Sequence, residues 1–399
     1  MAPLSLTQWC INLRRRKPPP LSMLPICLAC VTSFLILLYM SYTFDNFFHL
    51  TKIFPADTPS LVKLPKQNDS ISDVLVTFED QNGPPITRIL DKTHDHYKPG
   101  GNYASEAYLK NVLFKSHFVT NDPSEADLFF LPFSIASLRH DRKIGVSGLS
   151  DFILNYVTNI IQNYPYWNRT GGADHFYAAC HSIGRVAMEK VDQVKSNAIQ
   201  VVCSSSYFLT NYFAHKDVSL PQIWPRHEEP LDLASHSKRK KLAFYAGTAN
   251  SPLRKAVVQT WENDSSIFVH GGRLKTPYSE QLLGSKYCLH VKGFEVNTAR
   301  VGDAFYYGCV PVILADYYDL PFMDIINWKS FSVVITSSDI PNLKKILLSI
   351  SPKRYSVLQA NVLKVRKHFQ WNNSPLDFDA FYMVMYELWL RRSTIRVMY

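Results

Sequence analysis

The sequence predicts an α/β protein of two layered domains, and three features carry that prediction. The segment Gly293 to Leu314, GFEVNTARVGDAFYYGCVPVIL, reads as a helix, a break at Gly308 and an apolar strand buried on both faces, which together make an α/β crossover. Between Val74 and Leu233, apolar runs at Val74 to Phe78 and Ala126 to Phe133 alternate with helical patterns at Ala104 to Phe114 and Leu149 to Ile161. The same logic restarts with a strand at Leu242 to Ala246, a turn at Gly247, a helix over Pro252 to Trp261, and strands near Ile267, Tyr287 and Val310. The polar, basic stretch Ala234 to Lys241 sets the border, so that the domains run over residues 74–233 and 234–376. The run Lys238 to Lys241 within it reads as a solvated turn. A closing amphipathic helix occupies the last segment, residues 377–399, with acids at its start and Arg391 and Arg392 near its end.

A single transmembrane helix is expected ahead of these domains. Pro25 to Phe44 is charge-free and matches the ~20 residues that span a bilayer. No small-x-small cleavage site follows it, as a removed signal peptide would require. Arg14, Arg15, Arg16 and Lys17 lie on its N-terminal side, which the positive-inside rule places in the cytosol. The expectation is therefore a cytosolic tail over residues 1–24, a signal anchor over 25–44 and a proline-containing luminal stem over 45–73. Hydrophobic content of 46% and aromatic content of 13% in 399 residues exclude a disordered chain. The net charge of +10 suits an anionic donor or an acidic polysaccharide. It forms no basic stripe, and an anchored luminal protein does not meet nucleic acid.

Of the seven cysteines, Cys180, Cys203, Cys288 and Cys309 follow the anchor. In an oxidising lumen they can form two bridges. Cys180 with Cys203 and Cys288 with Cys309 would each stay within one domain, although the sequence alone allows three connectivities. Glycosylation sequons at Asn68, Asn168, Asn263 and Asn372 fit luminal exposure, with Pro375 weighing against the last.

Several segments could carry chemistry. In YPYWNRTGGADHFYAACHSIG the paired glycines present Asp174 and His175 at the end of a loop, where either could deprotonate a sugar hydroxyl or bind an acceptor. The structural alternative is a capping aspartate and a histidine packed beneath aromatic rings. Tyr166 and Trp167 offer faces for stacking on sugars. Arg254, near the start of the helix after Gly247, could hold the phosphates of a departing nucleoside diphosphate, for which a helix N-terminus is favourable. Glu295 is suited to accept from ribose hydroxyls, Lys292 and Arg300 to face phosphates, and Asp303, on the same helical run, to edge that cleft. The competing reading is a salt-bridged helix surface. The DxD match at Asp377 and Asp379 lies at the start of the closing helix and reads as a cap, and the His94/His96 pair lacks a spaced third ligand, so no metal site is expected.

The segments FVTNDPSEADLFFLPF (Phe118–Phe133), PYWNRTGGADHF with CH after it, KDVSLP (Lys216–Pro221), LAFYAG, SKYCLHVKGFEVNTARVGDAFYYGCVPVIL, ADYYDLPF, NWKSFSV and HFQW occur in order. Together they resemble the exostosin family, glycosyltransferase family 47, and most closely its plant members. The resemblance implies Golgi membrane enzymes of single-pass type II topology and the GT-B fold, in which two Rossmann-like domains face a cleft. It further implies inverting transfer from a nucleotide sugar to a glycan or polysaccharide, without a cofactor or required metal, and a last helix that crosses back to the first domain. Relatives often carry an acidic residue and tryptophan after ACH, where this chain has Ser182 and Ile183. That departure keeps a second reading in view, a non-catalytic scaffold working in a hetero-oligomer with other Golgi transferases. A hydrolase would need two carboxylates across one sugar site, and no such pair stands out.

Overall fold

Every pairing in the two β-sheets is parallel, as expected where strands alternate with helices. The computed structural model describes residues 101–396 except 121, 125, 209–211 and 224–237. The anchor, the stem, the strand at 74–78, Asn68, His94 and His96, and the border at residue 234 lie outside the described residues.

In the first sheet, β1 (Phe129–Phe130), β2 (His175–Ala179), β3 (Ile199–Val202) and β4 (Val218–Ser219) lie side by side in chain order. Strands β2 and β3 are buried throughout, because helices cover both sides. Helix α1 (Ala104–Leu113) packs Leu109 and Val112 on one side, and α2 (Leu149–Asn163) packs Ile153 and Val157 on the other. A disulfide joins Cys180 and Cys203, one residue beyond the ends of β2 and β3, with Cα atoms 4.4 Å apart.

The second sheet holds β5 (Lys241–Ala246), β6 (Ile267–His270), β7 (Ser285–Val291), β8 (Val310–Leu314) and β9 (Val333–Val334) in the order β6-β5-β7-β8-β9. Its helix α4 (Pro252–Trp261), numbered after α3 (Tyr166–Thr170), begins where the sequence places it: Ser251 Oγ accepts from Arg254 N, and Pro252 fills the first turn, where no N–H is needed. A second disulfide joins Cys288 in β7 to Cys309 just ahead of β8. Arg239, expected in a solvated turn, instead donates to the carbonyls of Leu282, Ser285 and Tyr307.

The helix expected from Glu295 onward is shorter: α5 spans Arg300–Tyr306, and Glu295 sits in the loop ahead of it. Thr298 Oγ1 accepts from Arg300 N at that start. The closing helix α6 (Ala380–Arg396) is capped by Asp379, whose Oδ1 accepts from the N–H groups of Phe381 and Tyr382. Its Oδ2 accepts from Leu376 N and Asn372 Nδ2, so the carboxylate of the DxD match is fully engaged in local structure. That contact also occupies the amide nitrogen of Asn372, whereas Asn168 and Asn263 are exposed.

Helix α6 joins the two sheets, as the resemblance implied. Phe381, Val384 and Leu388 enter the core that contains Leu109 and Val112 of α1 and Val312 of β8. Arg391 Nε donates to Asp217 O beside β4, and its guanidinium reaches Asp324 Oδ2 at 2.8 Å in the segment beyond β8. Buried Glu387 lies one turn from Arg391 and near Asp319 and Asp324; burial is the main cause that raises its pKa from 4.5 to about 8. Between those values the unfolded carboxyl is ionised while the folded one keeps its proton. Folding stability attributable to this group therefore falls as pH rises from about 4.5 to about 8. The expected result is a melting temperature that declines over that range, with Glu387→Gln flattening the decline.

Candidate active site

The order of the second sheet reverses between β5 and β7, and in open parallel sheets ligands bind at such a reversal, beyond the strand C-termini. Two arginines occupy that point. Arg300 Nε and NH2 donate to Ala246 O, the last residue of β5, at 3.1 and 2.9 Å. Arg254 Nε donates to Val291 O, the last residue of β7, at 3.1 Å, and its NH1 reaches Thr248 O and Asn250 Oδ1. Backbone carbonyls thus fix both guanidiniums. Among the described residues no carboxylate forms an ion pair with either.

Close packing makes this arrangement possible. A Cβ on Gly247 would lie 2.1 Å from Arg300 NH2, and one on Gly293 would lie 2.6 Å from Arg254 Cζ. Both positions must be glycine for the arginines to lie flat against the chain. The Tyr245 ring lies 5.4 Å beneath the Arg300 guanidinium, and its buried hydroxyl has no hydrogen-bond partner. Burial pushes the Arg254 pKa down, yet a guanidinium stays charged at any physiological pH. Two fixed cations that pair with no carboxylate among the described residues, beside the Tyr245 hydroxyl and at the start of a capped helix, make a site suited to an anion. Lys292 is tied to the same place by its carbonyl, which accepts from Ser251 Oγ at 2.8 Å. Asp303 is buried one turn beyond Arg300, near Tyr278.

Glu295 points elsewhere. From the loop after β7 it reaches the turn after β2, where its Oε1 accepts from Ser182 N at 3.2 Å and Ser182 Oγ at 2.9 Å. His181 Nδ1 is 3.4 Å away, but that nitrogen already accepts from Ile183 N and therefore carries no proton in this arrangement. Burial holds the His181 pKa down to about 4, so the ring is neutral near neutral pH. Burial likewise raises the Glu295 pKa, with hydrogen bonds from Ser182, Ser204 and Tyr103 pulling the other way. The adjacent strands make a second crossing: Tyr207 N, beyond β3, donates to Tyr317 O, beyond β8, and Ser206 bridges to Tyr318. Loops at the C-terminal edges of the two sheets therefore meet.

Asp174 and His175, expected as catalytic or acceptor groups, lie at the opposite edge. They stand at the N-terminal end of β2, about 13 Å of strand from Ala179. Asp174 is 2% exposed; its carboxylate takes Arg169 on one oxygen and Thr170 and His175 on the other. His175 is buried between the rings of Phe129 and Trp167. This is the structural alternative the sequence offered. Trp167 and Tyr166, expected to stack on acceptor sugars, belong to the same edge. Trp167 is buried and donates through Nε1 to Gln193 Oε1, and Tyr166 packs against Phe129. Ser182 and His181, by contrast, lie where those loops meet; the ACH segment hinted at them, but their partner Glu295 is 113 residues away.

The sequence is similar to a known family and to named relatives. The profile of the exostosin GT47 domain matches residues 63–350, a range that includes both arginines, Ser182 and Glu295. A protein of Arabidopsis thaliana named "Probable glycosyltransferase" is 37% identical over 302 residues, which are 73% of this chain and 58% of that relative. This chain thus spans less than two thirds of that relative's length. Another, named "Probable beta-1,4-xylosyltransferase", also from Arabidopsis thaliana, is 28% identical over 306 residues, covering 71% of this chain and 74% of its own. Among solved structures, Anabaena HepE in complex with UDP-glucose aligns over 74% of this chain and 97% of its own, with a TM-score of 0.37 and 12% identity. With its domain profile matched over most of its length and a relative this similar, the chain belongs to the exostosin GT47 family.

Proposed function

We propose that this protein is an inverting glycosyltransferase of the GT-B type that moves a sugar from a nucleotide sugar, a UDP-sugar in our reading, to a polysaccharide or glycan acceptor. One observation carries the proposal: Arg254 and Arg300 are fixed at the β5/β7 reversal and, among the described residues, form no ion pair with a carboxylate. A nucleoside diphosphate matches their charge, and the charge that grows on it as the glycosidic bond breaks is stabilised there. Lys292 adds a cation, and Asp303 accepts from a ribose hydroxyl. No metal is needed for that charge, because the guanidiniums supply it.

The acceptor hydroxyl attacks the anomeric carbon on the face opposite the diphosphate. Its proton passes to the Glu295 carboxylate, the new C–O bond forms, and the nucleoside diphosphate leaves with the electrons of the old one. Ser182 holds Oε1 and so aims the carboxylate. A base raised by burial suits proton removal near neutral pH. A Golgi location, a type II anchor over residues 25–44 and a role in cell-wall polysaccharide synthesis complete the reading; the anchor is supported by the charge-free run behind a basic tail, and the polysaccharide by a relative named a probable glucuronoxylan glucuronosyltransferase.

The test is turnover. The full-length protein is incubated with UDP-xylose, UDP-glucuronic acid, UDP-galactose or UDP-arabinose and a set of cell-wall oligosaccharides. One donor should release UDP only when a matching oligosaccharide is present, with the anomeric configuration of the product inverted relative to the donor. Retention of configuration, or no turnover with any pair by a folded protein, would overturn the reading.

A further inference from the structure

Three loops follow the C-terminal ends of β3, β7 and β8, and each carries an aromatic ring in water: Phe208 is 69% exposed, Phe294 76% and Tyr317 64%. Rings exposed singly need no explanation, whereas two in contact form a surface. Phe208 and Tyr317 touch edge to face, with centroids 4.6 Å apart, although one follows the first sheet and the other the second. Tyr317 has a φ of 60°, a left-handed conformation that disfavours a bulky residue.

The base under the pair is rigid. Tyr207 N donates to Tyr317 O, Asp319 N donates to Ser205 O, and Ser205 Oγ donates to Asp319 O at 2.7 Å. The Asp319 carboxylate accepts from the Tyr207 and Tyr212 hydroxyls. A strained residue held this firmly, with its ring left in solvent, is a feature of binding sites.

Position indicates what binds there. Across the second sheet the arginines sit at β5 and β7, Glu295 follows β7, and Tyr317 follows β8, with neighbouring strands about 4.8 Å apart. The arginine pair, the loop that carries Glu295 and the loop that carries Tyr317 thus follow neighbouring strands in a row. From this row we infer that Phe208 and Tyr317 form a stacking subsite for the acceptor glycan, one or more sugars away from the hydroxyl that reacts. The inference rests on the transferase reading for its direction. The C–H faces of a pyranose ring match the two exposed rings, while the sugar hydroxyls remain in water. The subsite replaces the one expected at Tyr166 and Trp167.

The test measures binding of the full-length protein to an array of defined cell-wall oligosaccharides, alongside its affinity for UDP. Phe208→Ala removes one ring. Tyr317→Gly removes the other and relieves its backbone, so that variant should melt no lower than wild type. Wild type should bind at least one oligosaccharide, and each variant should bind it about tenfold more weakly with UDP affinity unchanged. Oligosaccharide binding that depends on both rings in a protein that ignores UDP would support the subsite and reject the donor site. Unchanged oligosaccharide binding in both variants, or no oligosaccharide bound by wild type, would overturn the subsite. So would self-association of wild type that the variants lose, since a second copy would then be the occupant.

Discussion

Glu295→Gln is expected to reduce sugar transfer by about 10²- to 10⁴-fold while leaving UDP affinity within a factor of about two, the behaviour of a general base that lies outside the nucleotide site. The substitution keeps the shape of the side chain and the acceptor oxygen for Ser182 N and Oγ. It removes only the capacity to take a proton. If Glu295 instead gripped the ribose, as its sequence position suggests, UDP affinity would fall with activity. Measuring kcat and the UDP dissociation constant on the same preparation separates the two roles. A pH profile adds a second check: the activity of wild type should rise with pH through the raised pKa of Glu295, because only the ionised form accepts a proton.

Arg300→Ala is expected to cost about 10²- to 10³-fold in kcat/KM for the donor, the usual size of losing one preorganised donor to a developing negative charge. Its guanidinium is held by the carbonyl of Ala246 and by the Tyr278 hydroxyl, so its removal takes one partner from each. Arg254→Ala should match or exceed that loss. It also frees the carbonyls of Val291 and Thr248, however, and a lower melting temperature is expected for that variant. Arg300→Lys should recover little, because an ammonium cannot make the paired contact to Ala246 O and a phosphate together.

The local rules were legible where one segment determines its own structure. Ser251 with Pro252 starts a helix that ends at Trp261, and Val310 to Leu314 is a buried strand, because capping and apolar runs act within a few residues. The placement of Arg254 and Arg300 at two helix starts, each packed against a glycine, was legible because capping and close approach are local. The partner of Glu295 was not: it lies beyond β2, and no local pattern reports a contact between distant segments. Asp174 and His175 misled for a physical reason. An acid and a histidine after a glycine pair look the same in sequence whether they face solvent or, as here, close a buried network with Arg169 and Thr170. Tyr317 was hidden because a left-handed backbone at a tyrosine leaves no mark in composition or period.

A nucleoside diphosphate is expected to bind the β5/β7 reversal through Arg254 and Arg300, which form no ion pair with a carboxylate among the described residues. Isothermal titration of UDP into full-length wild type and Arg300→Ala tests this binding mode most directly. Saturable binding by wild type and a loss of about thirtyfold or more in the variant are expected, with both proteins melting cooperatively. Identical isotherms for the two, or no UDP binding by a folded wild type, would contradict it.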